Sequence, residues 1–140
     1  MANVRVTAKV DQGAVAGFLR DDVARAMQRG AGRCRDYAKA NITVAGRVDT
    51  GQMRNATIAE TAVVDGTQIT ARVVVEADHA IYQHEGTAND GQGTIVPRRA
   101  KVLRFKPRGG TFVFRPEVSG VKGVPFLTDA MERLTPADFT

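Results

Sequence analysis

The first ten residues alternate between apolar and polar side chains. Val4, Val6, Ala8 and Val10 fall on one side, and the residues between them are polar or charged. A period of two is typical of a β-strand, in which successive side chains point to opposite faces. Residues 1–10 are therefore predicted to form a short strand or an extended arm.

The period changes after residue 13. Apolar or small side chains recur at steps of three and four from Gly13 to Ala40, which predicts one long amphipathic helix with Asp11 as its N-cap. The stripe consists of Val15, Leu19, Val23, Ala26 or Met27, Gly30, Cys34 and Tyr37. Gly30 and Gly32 each weaken a helix by roughly 1 kcal/mol relative to alanine. They indicate a kink, or close packing onto a strand.

The middle of the chain predicts a β-hairpin. Residues 58–64 and 68–76 are rich in β-branched side chains and flank the turn dipeptide Asp65-Gly66. Residues 80–84 fit either a short strand or a helical turn. Residues 88–94 are rich in Gly, Asn and Asp, which predicts an exposed loop.

A second hairpin and a last helix are predicted in the C-terminal part. Residues 101–105 and 111–115 flank a turn rich in proline and glycine. Pro125 then opens a helix, because its fixed φ suits a first turn. The apolar stripe of this helix is Phe126, Leu127, Ala130, Met131 and Leu134.

These elements predict an α+β fold in a single domain, 1–140. A long N-terminal helix packs on an antiparallel sheet of about four or five strands, and a short C-terminal helix completes the core. Phe126 and Leu127 are placed in that core. No internal repeat or low-complexity linker divides the chain.

Composition narrows the functional classes. A net charge of +5 and a pI near 9.9 allow nucleic-acid binding. However, two Tyr and no Trp leave few platforms on which bases could stack. The single cysteine, Cys34, excludes an internal disulfide and a cysteine-based zinc site, and its place on the helix stripe predicts a buried thiol. No apolar run is long enough for a membrane span or a signal peptide, so synthesis in the cytoplasm is expected.

Two segments resemble catalytic or metal-binding motifs. Asp49-Thr50-Gly51 is the sequence of an aspartic-protease loop, but no apolar strand leads into it. A capping turn is the favoured interpretation. His79 and His84 are five residues apart, whereas metal-binding histidines on a helix are four apart. No cofactor or metal site is predicted.

The densest charge cluster lies between residues 98 and 108. Its members are Arg98, Arg99, Lys101, Arg104, Lys106 and Arg108. In a strand, Arg104 and Lys106 share a face opposite Leu103 and Phe105. Two interpretations are open: a basic strand that contacts an acidic partner or phosphates, and a solvated hairpin edge protected by its charges.

Three short segments, taken in order, resemble a known family. They are Asp49-Thr50-Gly51, then Tyr82-Gln83-His84-Glu85-Gly86-Thr87, and finally Pro125-Phe126-Leu127. Their order and spacing, over roughly residues 14–134, are similar to those of siphophage tail-completion proteins, which act at the joint between head and tail. In this resemblance the motif positions are Asp49, Thr50, Gly51, Tyr82, Glu85, Gly86, Thr87, Pro125, Phe126 and Leu127.

The resemblance implies a structural virion protein of the neck or tail and not an enzyme. It implies a homo-oligomeric ring, six-fold in symmetry, between the head connector and the tail. The partners are the neighbouring neck proteins, DNA is met only as it passes through the channel, and assembly occurs in the host cytoplasm. A tail terminator is the alternative within the same virion, and a small basic nucleic-acid-binding protein is a more distant one.

Overall fold

The computed structural model describes residues 4–11, 20–47, 51–66, 68–107 and 109–140, with side chains from residue 20 onward. The predicted α+β class is confirmed. The helices of the described residues are α1 (Arg20–Val44), α2 (Gln52–Asn55), α3 (Ala80–Glu85), α4 (Phe126–Glu132) and a C-terminal 3₁₀ helix (Pro136–Phe139). The strands are β1 (Val4–Asp11), β2 (Thr57–Ala59), β3 (Val63–Asp65), β4 (Gln68–Val75), β5 (Thr94–Ile95), β6 (Leu103–Phe105), β7 (Val113–Arg115) and β8 (Val118–Ser119).

Strand β4 is the centre of the main sheet. β1 pairs with it antiparallel along its whole length, and β2 and β3 pair with it on the other side. The register sets Val4, Val6, Ala8 and Val10 opposite Val75, Val73, Ala71 and Ile69, and these four residues of β4 are buried. Residues 1–10 were predicted to form a short strand or an extended arm, and the structure has a strand at Val4–Asp11.

The first predicted hairpin forms around Asp65-Gly66, but its first strand is interrupted. Residues 60–62 separate β2 from β3, and the side chain of Gln28 on α1 bonds to this interruption. Gln28 Nε2 donates to the carbonyl of Glu60 at 3.2 Å, and the amide of Ala62 donates to Gln28 Oε1 at 2.5 Å. One amide side chain thus satisfies two backbone groups that the sheet leaves unpaired.

Helix α1 lies across the sheet, and its buried residues form the core together with β4 and α4. They are Met27, Gly30, Ala31, Cys34, Ala38 and Ile42. The predicted burial of Cys34 is confirmed, and burial raises the pKa of its thiol to about 11. At neutral pH the group is a protonated, inert thiol.

The predicted bounds of the long helix were only partly right. The described helix begins at Arg20 and continues to Val44, four residues beyond the predicted end. Residues 12–19, where the prediction placed its first turns, lie outside the described residues. Asp11 is the last residue of β1 and pairs with Gln68, and its role as a helix cap stays a prediction because the residues that follow it lie outside the described ones.

The C-terminal 3₁₀ helix is held against α1. Arg29 donates from Nε and Nη2 to the carbonyl of Phe139 at 3.2 and 3.0 Å, and the Tyr37 hydroxyl donates to Asp138 Oδ1 at 2.9 Å. The Phe139 ring lies so close to Gly30 that an added Cβ there would meet it at 2.3 Å. The absence of a side chain at Gly30 thus allows close packing, although the contact is with the C-terminal 3₁₀ helix and not with a strand.

The predicted antiparallel sheet of about four or five strands is confirmed by the four-stranded main sheet, and the other four described strands lie outside it. β5 pairs with β8, and β6 pairs with β7, each as a two-stranded sheet outside the main one. The second predicted hairpin is therefore confirmed, but β6 and β7 make their main contacts only with each other. This hairpin stands apart from the core.

Candidate functional site

The first motif is only partly described. Asp49 and Thr50 lie outside the described residues, so their capping role stays a prediction. Gly51 is the N-cap residue of α2, with φ of 78°, and its carbonyl accepts a hydrogen bond from the Asn55 amide at 2.8 Å. The left-handed backbone at this position favours glycine.

The second motif forms the end of a short helix. Residues 80–84, left open as a strand or a helical turn, belong to α3, which ends at Gly86 with φ of 84°. The chain then turns and bonds to a distant segment, residues 120–124. The amide of Thr87 donates to the Val121 carbonyl at 2.8 Å, and the amide of Val121 donates to Thr87 Oγ1 at 2.9 Å.

The backbones at this junction are in direct contact. A Cβ added to Gly123 would lie 2.5 Å from the carbonyl carbon of Glu85 and 2.6 Å from the amide nitrogen of Gly86. The amide of Val124 also donates to the Gln83 carbonyl at 2.9 Å. Only a residue without a side chain fits at position 123, so the two segments are locked together.

The predicted loop 88–94 is exposed at Asn89, Asp90 and Gln92, but its backbone is fixed. Asp90 Oδ1 accepts a hydrogen bond from the Gly123 amide at 2.7 Å, and the Gly93 carbonyl accepts one from Gly120 at 2.9 Å. Polar backbone contacts therefore order a segment that has few apolar side chains.

The third motif continues directly from this junction. Pro125 is the N-cap residue of α4, and Phe126 and Leu127 are fully buried. The Phe126 ring packs edge-on against His84, with centroids 5.1 Å apart and planes at 89°. Asn41 on α1 donates to the Phe126 carbonyl at 3.1 Å. The second and third motifs thus meet at one place in the fold.

The C-terminal stripe differs from its prediction at two positions. Met131 is exposed and Leu134 is only partly buried, although both were placed on the buried face. Helix α4 ends at Glu132, so its apolar face is only two turns long.

His84 is the titratable group at the junction. Burial lowers the pKa of its imidazole, and the nearby Glu85 and Asp129 carboxylates oppose that shift. Its Nε2 is buried and has no hydrogen-bond partner among the described residues. A proton added there would be poorly solvated beside the Phe126 ring.

We expect stability to fall as the pH is lowered from about 7.5 to about 5.5, because the unfolded chain binds a proton near pH 6.5 that the folded chain resists. Urea denaturation at a series of pH values measures this dependence. His84→Gln should flatten it, whereas His79→Gln, at an exposed position, should leave it intact. An unchanged slope in His84→Gln would show that another group is responsible.

The basic segment 98–108 is not one continuous strand. Of its six cationic residues only Arg104 lies in a strand, and Arg108 is outside the described residues. Arg98, Arg99 and Lys101 precede β6 in a bent segment, and Lys106 follows it. Pro97, Pro107 and the intervening bends limit the pairing to three residues on each strand.

The exposed aromatic residues of this hairpin were not predicted from the sequence. Phe112 and Phe114 are 53% and 60% exposed, and Arg104 Cζ lies 4.0 Å from the centroid of the Phe112 ring. Alternation along β7 was visible in the sequence, but it could not show which face would be left uncovered. Tyr82 of the second motif is also exposed, at 57%.

Three observations on the described residues concern a cavity beside Cys34, metal ligands and a membrane-spanning helix. The cavity beside Cys34 is apolar and measures about 20 Å³, which is about the space of one water molecule. No group of three or more potential metal ligands is found in the described part of the chain. Across these ranges, no helix is both long and apolar enough to cross a bilayer.

Comparison with known proteins gives one informative match. The model of the HK97-gp10-like family, described as a bacteriophage HK97-gp10 tail component, matches residues 6–86. The matched segment is more than half of the chain, and it runs from β1 to the glycine that ends α3. No curated protein and no solved structure matches the chain.

Proposed function

Because this chain belongs to the HK97-gp10-like family of bacteriophage tail components, we propose that it is a tail-completion protein that joins the head to the tail. In this proposal it is a structural part of the virion neck and has no catalytic activity. Copies of the chain form a ring between the head connector and the tail, and six-fold symmetry is expected.

The family match is the observation that carries the proposal. It includes helix α1, nearly all of the main sheet and the second motif as far as Gly86, which together form most of the core. The order of the three motifs adds support, because it extends the resemblance to Pro125-Phe126-Leu127, beyond the matched segment. The partners are then the neighbouring neck proteins, and DNA passes through the ring without specific contact.

The exposed hairpin also supports a protein that works in an assembly. Exposed aromatic residues beside arginine are characteristic of protein–protein interfaces. A monomer that acted alone would have little reason to leave Phe112 and Phe114 uncovered.

Deletion of the coding sequence from the phage genome that carries it tests the proposal. Electron microscopy of the lysate should show filled heads and tails of normal length that are not joined. The wild-type chain, supplied from a plasmid, should restore infectious particles and be found in them. Normal infectious particles without the chain would refute the proposal.

The same deletion separates the tail-terminator alternative, and DNA chromatography separates the nucleic-acid-binding one. A tail terminator stops the growth of the tail tube, so its loss should give tails longer than normal. A nucleic-acid-binding protein should retain DNA on a column with a steep dependence on salt, because bound phosphates release counterions.

A further inference from the structure

The β6–β7 hairpin presents one cationic aromatic face. The register sets Arg104 opposite Phe114, and Phe112, two residues before Phe114, lies on the same side. The guanidinium of Arg104 covers the Phe112 ring, which agrees with this assignment. On the other side, Leu103 and Val113 are partly buried and Phe105 is 38% exposed, less than either phenylalanine of the first side. Arg104, Phe112 and Phe114 therefore form the more exposed aromatic side, which we call the cationic aromatic face.

The charges around this face have one sign. Residues 98–115 include seven arginines and lysines and no aspartate or glutamate. The ion pairs found among the described residues join Arg25 to Asp22 and Arg35 to Asp36, all on α1. The cationic side chains of the hairpin that the structure describes therefore form no ion pair within the chain.

A second surface of the same chain is mainly acidic. Residues 73–97 include four acidic residues and no arginine or lysine, and the nearest described lysine, Lys122, is bridged through its backbone to Gly86 at the end of α3. Glu76, Asp78 and Glu85 are exposed around α3, and the exposed Tyr82 lies among them in sequence. This acidic α3 surface likewise has no ion pair to a lysine or arginine in the described residues.

We propose that the cationic aromatic face of the hairpin in one copy docks on the acidic α3 surface of the next copy. The inference rests on the proposed ring, for which it names the contact. Two unlike surfaces that bind head to tail generate a closed ring when the rotation between copies closes. Charge complementarity sets the register, and the phenylalanines and Tyr82 supply the apolar area.

A second copy fits these observations better than DNA does. Phosphates would satisfy the cations, but they would leave the acidic α3 surface without a partner and would bring no apolar group to Phe114. An adjacent copy satisfies both surfaces at once.

Disulfide cross-linking tests the contact. The native Cys34 is buried, so the variant Tyr82→Cys/Phe114→Cys places two new thiols on the exposed surfaces. Oxidation should give a ladder of multimers that ends at the number of copies in the ring. Each single variant should give dimers at most, and the matched control Val44→Cys/Phe114→Cys, with its first thiol at an exposed position of α1, should give no ladder.

Charge-reversal variants test whether the cross-linked ladder depends on the charges at the contact. In the double-cysteine background, Arg104→Glu or Glu85→Lys should reduce the ladder by about tenfold or more, because like charges then meet. The two reversals combined should restore it. All of these positions are exposed, and thermal melts will show that each variant remains folded.

The oxidation is carried out on the purified chain at high concentration and on purified phage particles. A ladder in either sample that the reversals abolish and then restore supports the contact. Absence of the ladder from both, an equal ladder in the control, or loss of DNA binding instead of cross-linking in Arg104→Glu overturns it. The proposed function is decided separately, by whether heads and tails remain unjoined when the coding sequence is deleted.

Discussion

Replacing Phe126 with alanine should lower the free energy of unfolding by about 3–5 kcal/mol, enough to unfold a domain of marginal stability. The ring is fully buried and begins the helix that closes the core over α1. It also packs against His84, so its removal would leave a cavity where the second and third motifs meet. Chemical denaturation followed by circular dichroism measures the change.

Met131→Ala is the matched control for this prediction. Met131 lies on the same helix but is exposed, so its truncation should change stability by less than about 1 kcal/mol. A Phe126→Ala protein that kept wild-type stability but failed to join heads to tails would identify Phe126 as an interface residue. The assignment of the third motif to the core would then be wrong.

Gly123→Ala should destabilise the protein by about 3 kcal/mol, at the upper end of what overpacking produces. The added Cβ would meet backbone atoms of Glu85 and Gly86, and the backbone cannot move aside as a flexible side chain could. Besides lowering the overall stability, the substitution should loosen the junction itself. Hydrogen exchange at the amides of Thr87 and Val121 should become faster, because the bonds between these segments would break.

Gly32→Ala is the opposite case and serves as the control. An added Cβ at Gly32 meets nothing within 4 Å, and the residue is in the middle of α1. Alanine there should stabilise the protein by up to about 1 kcal/mol. Equal destabilisation by both substitutions would mean that close backbone approach at Gly123 is not what fixes the junction.

Periodic patterns predicted the elements of this fold well. The long helix, both hairpins and the burial of Phe126 follow from repeating apolar positions or from turn residues, which are local properties of the chain. Helix ends were less certain, since the period of α1 continues through Ala38 and Ile42 with no strong stop signal before Val44.

Contacts between distant segments could not be predicted in this way. The side chain of Gln28 bonds to Glu60 and Ala62 where one predicted strand is divided into β2 and β3, yet a single glutamine on a helix gives no sign of that role. The same holds for Gly123, whose importance depends on a backbone nearly forty residues earlier. Such effects are set by tertiary packing, for which a single sequence carries no periodic signal.

Only the cationic part of the candidate interface could be predicted from the sequence. The cluster of cations was evident, and the two interpretations given to it depended on charge alone. Which aromatic residues stay exposed depends on the separation of the β6–β7 hairpin from the main sheet. The acidic counterpart around Tyr82 is marked in the sequence only by the absence of lysine and arginine from residues 73–97, which no motif or period indicates.

The attachment of the C-terminal 3₁₀ helix to α1 affects the order in which the protein can mature during synthesis. β1 must wait for β4, and the contact of Phe139 with Gly30 forms only after residues 136–139 have left the ribosome. Until then, the side of α1 that Phe139 covers stays open on the nascent chain. The 3₁₀ helix is therefore among the last of these elements to dock, although α1 is among the first to be synthesised.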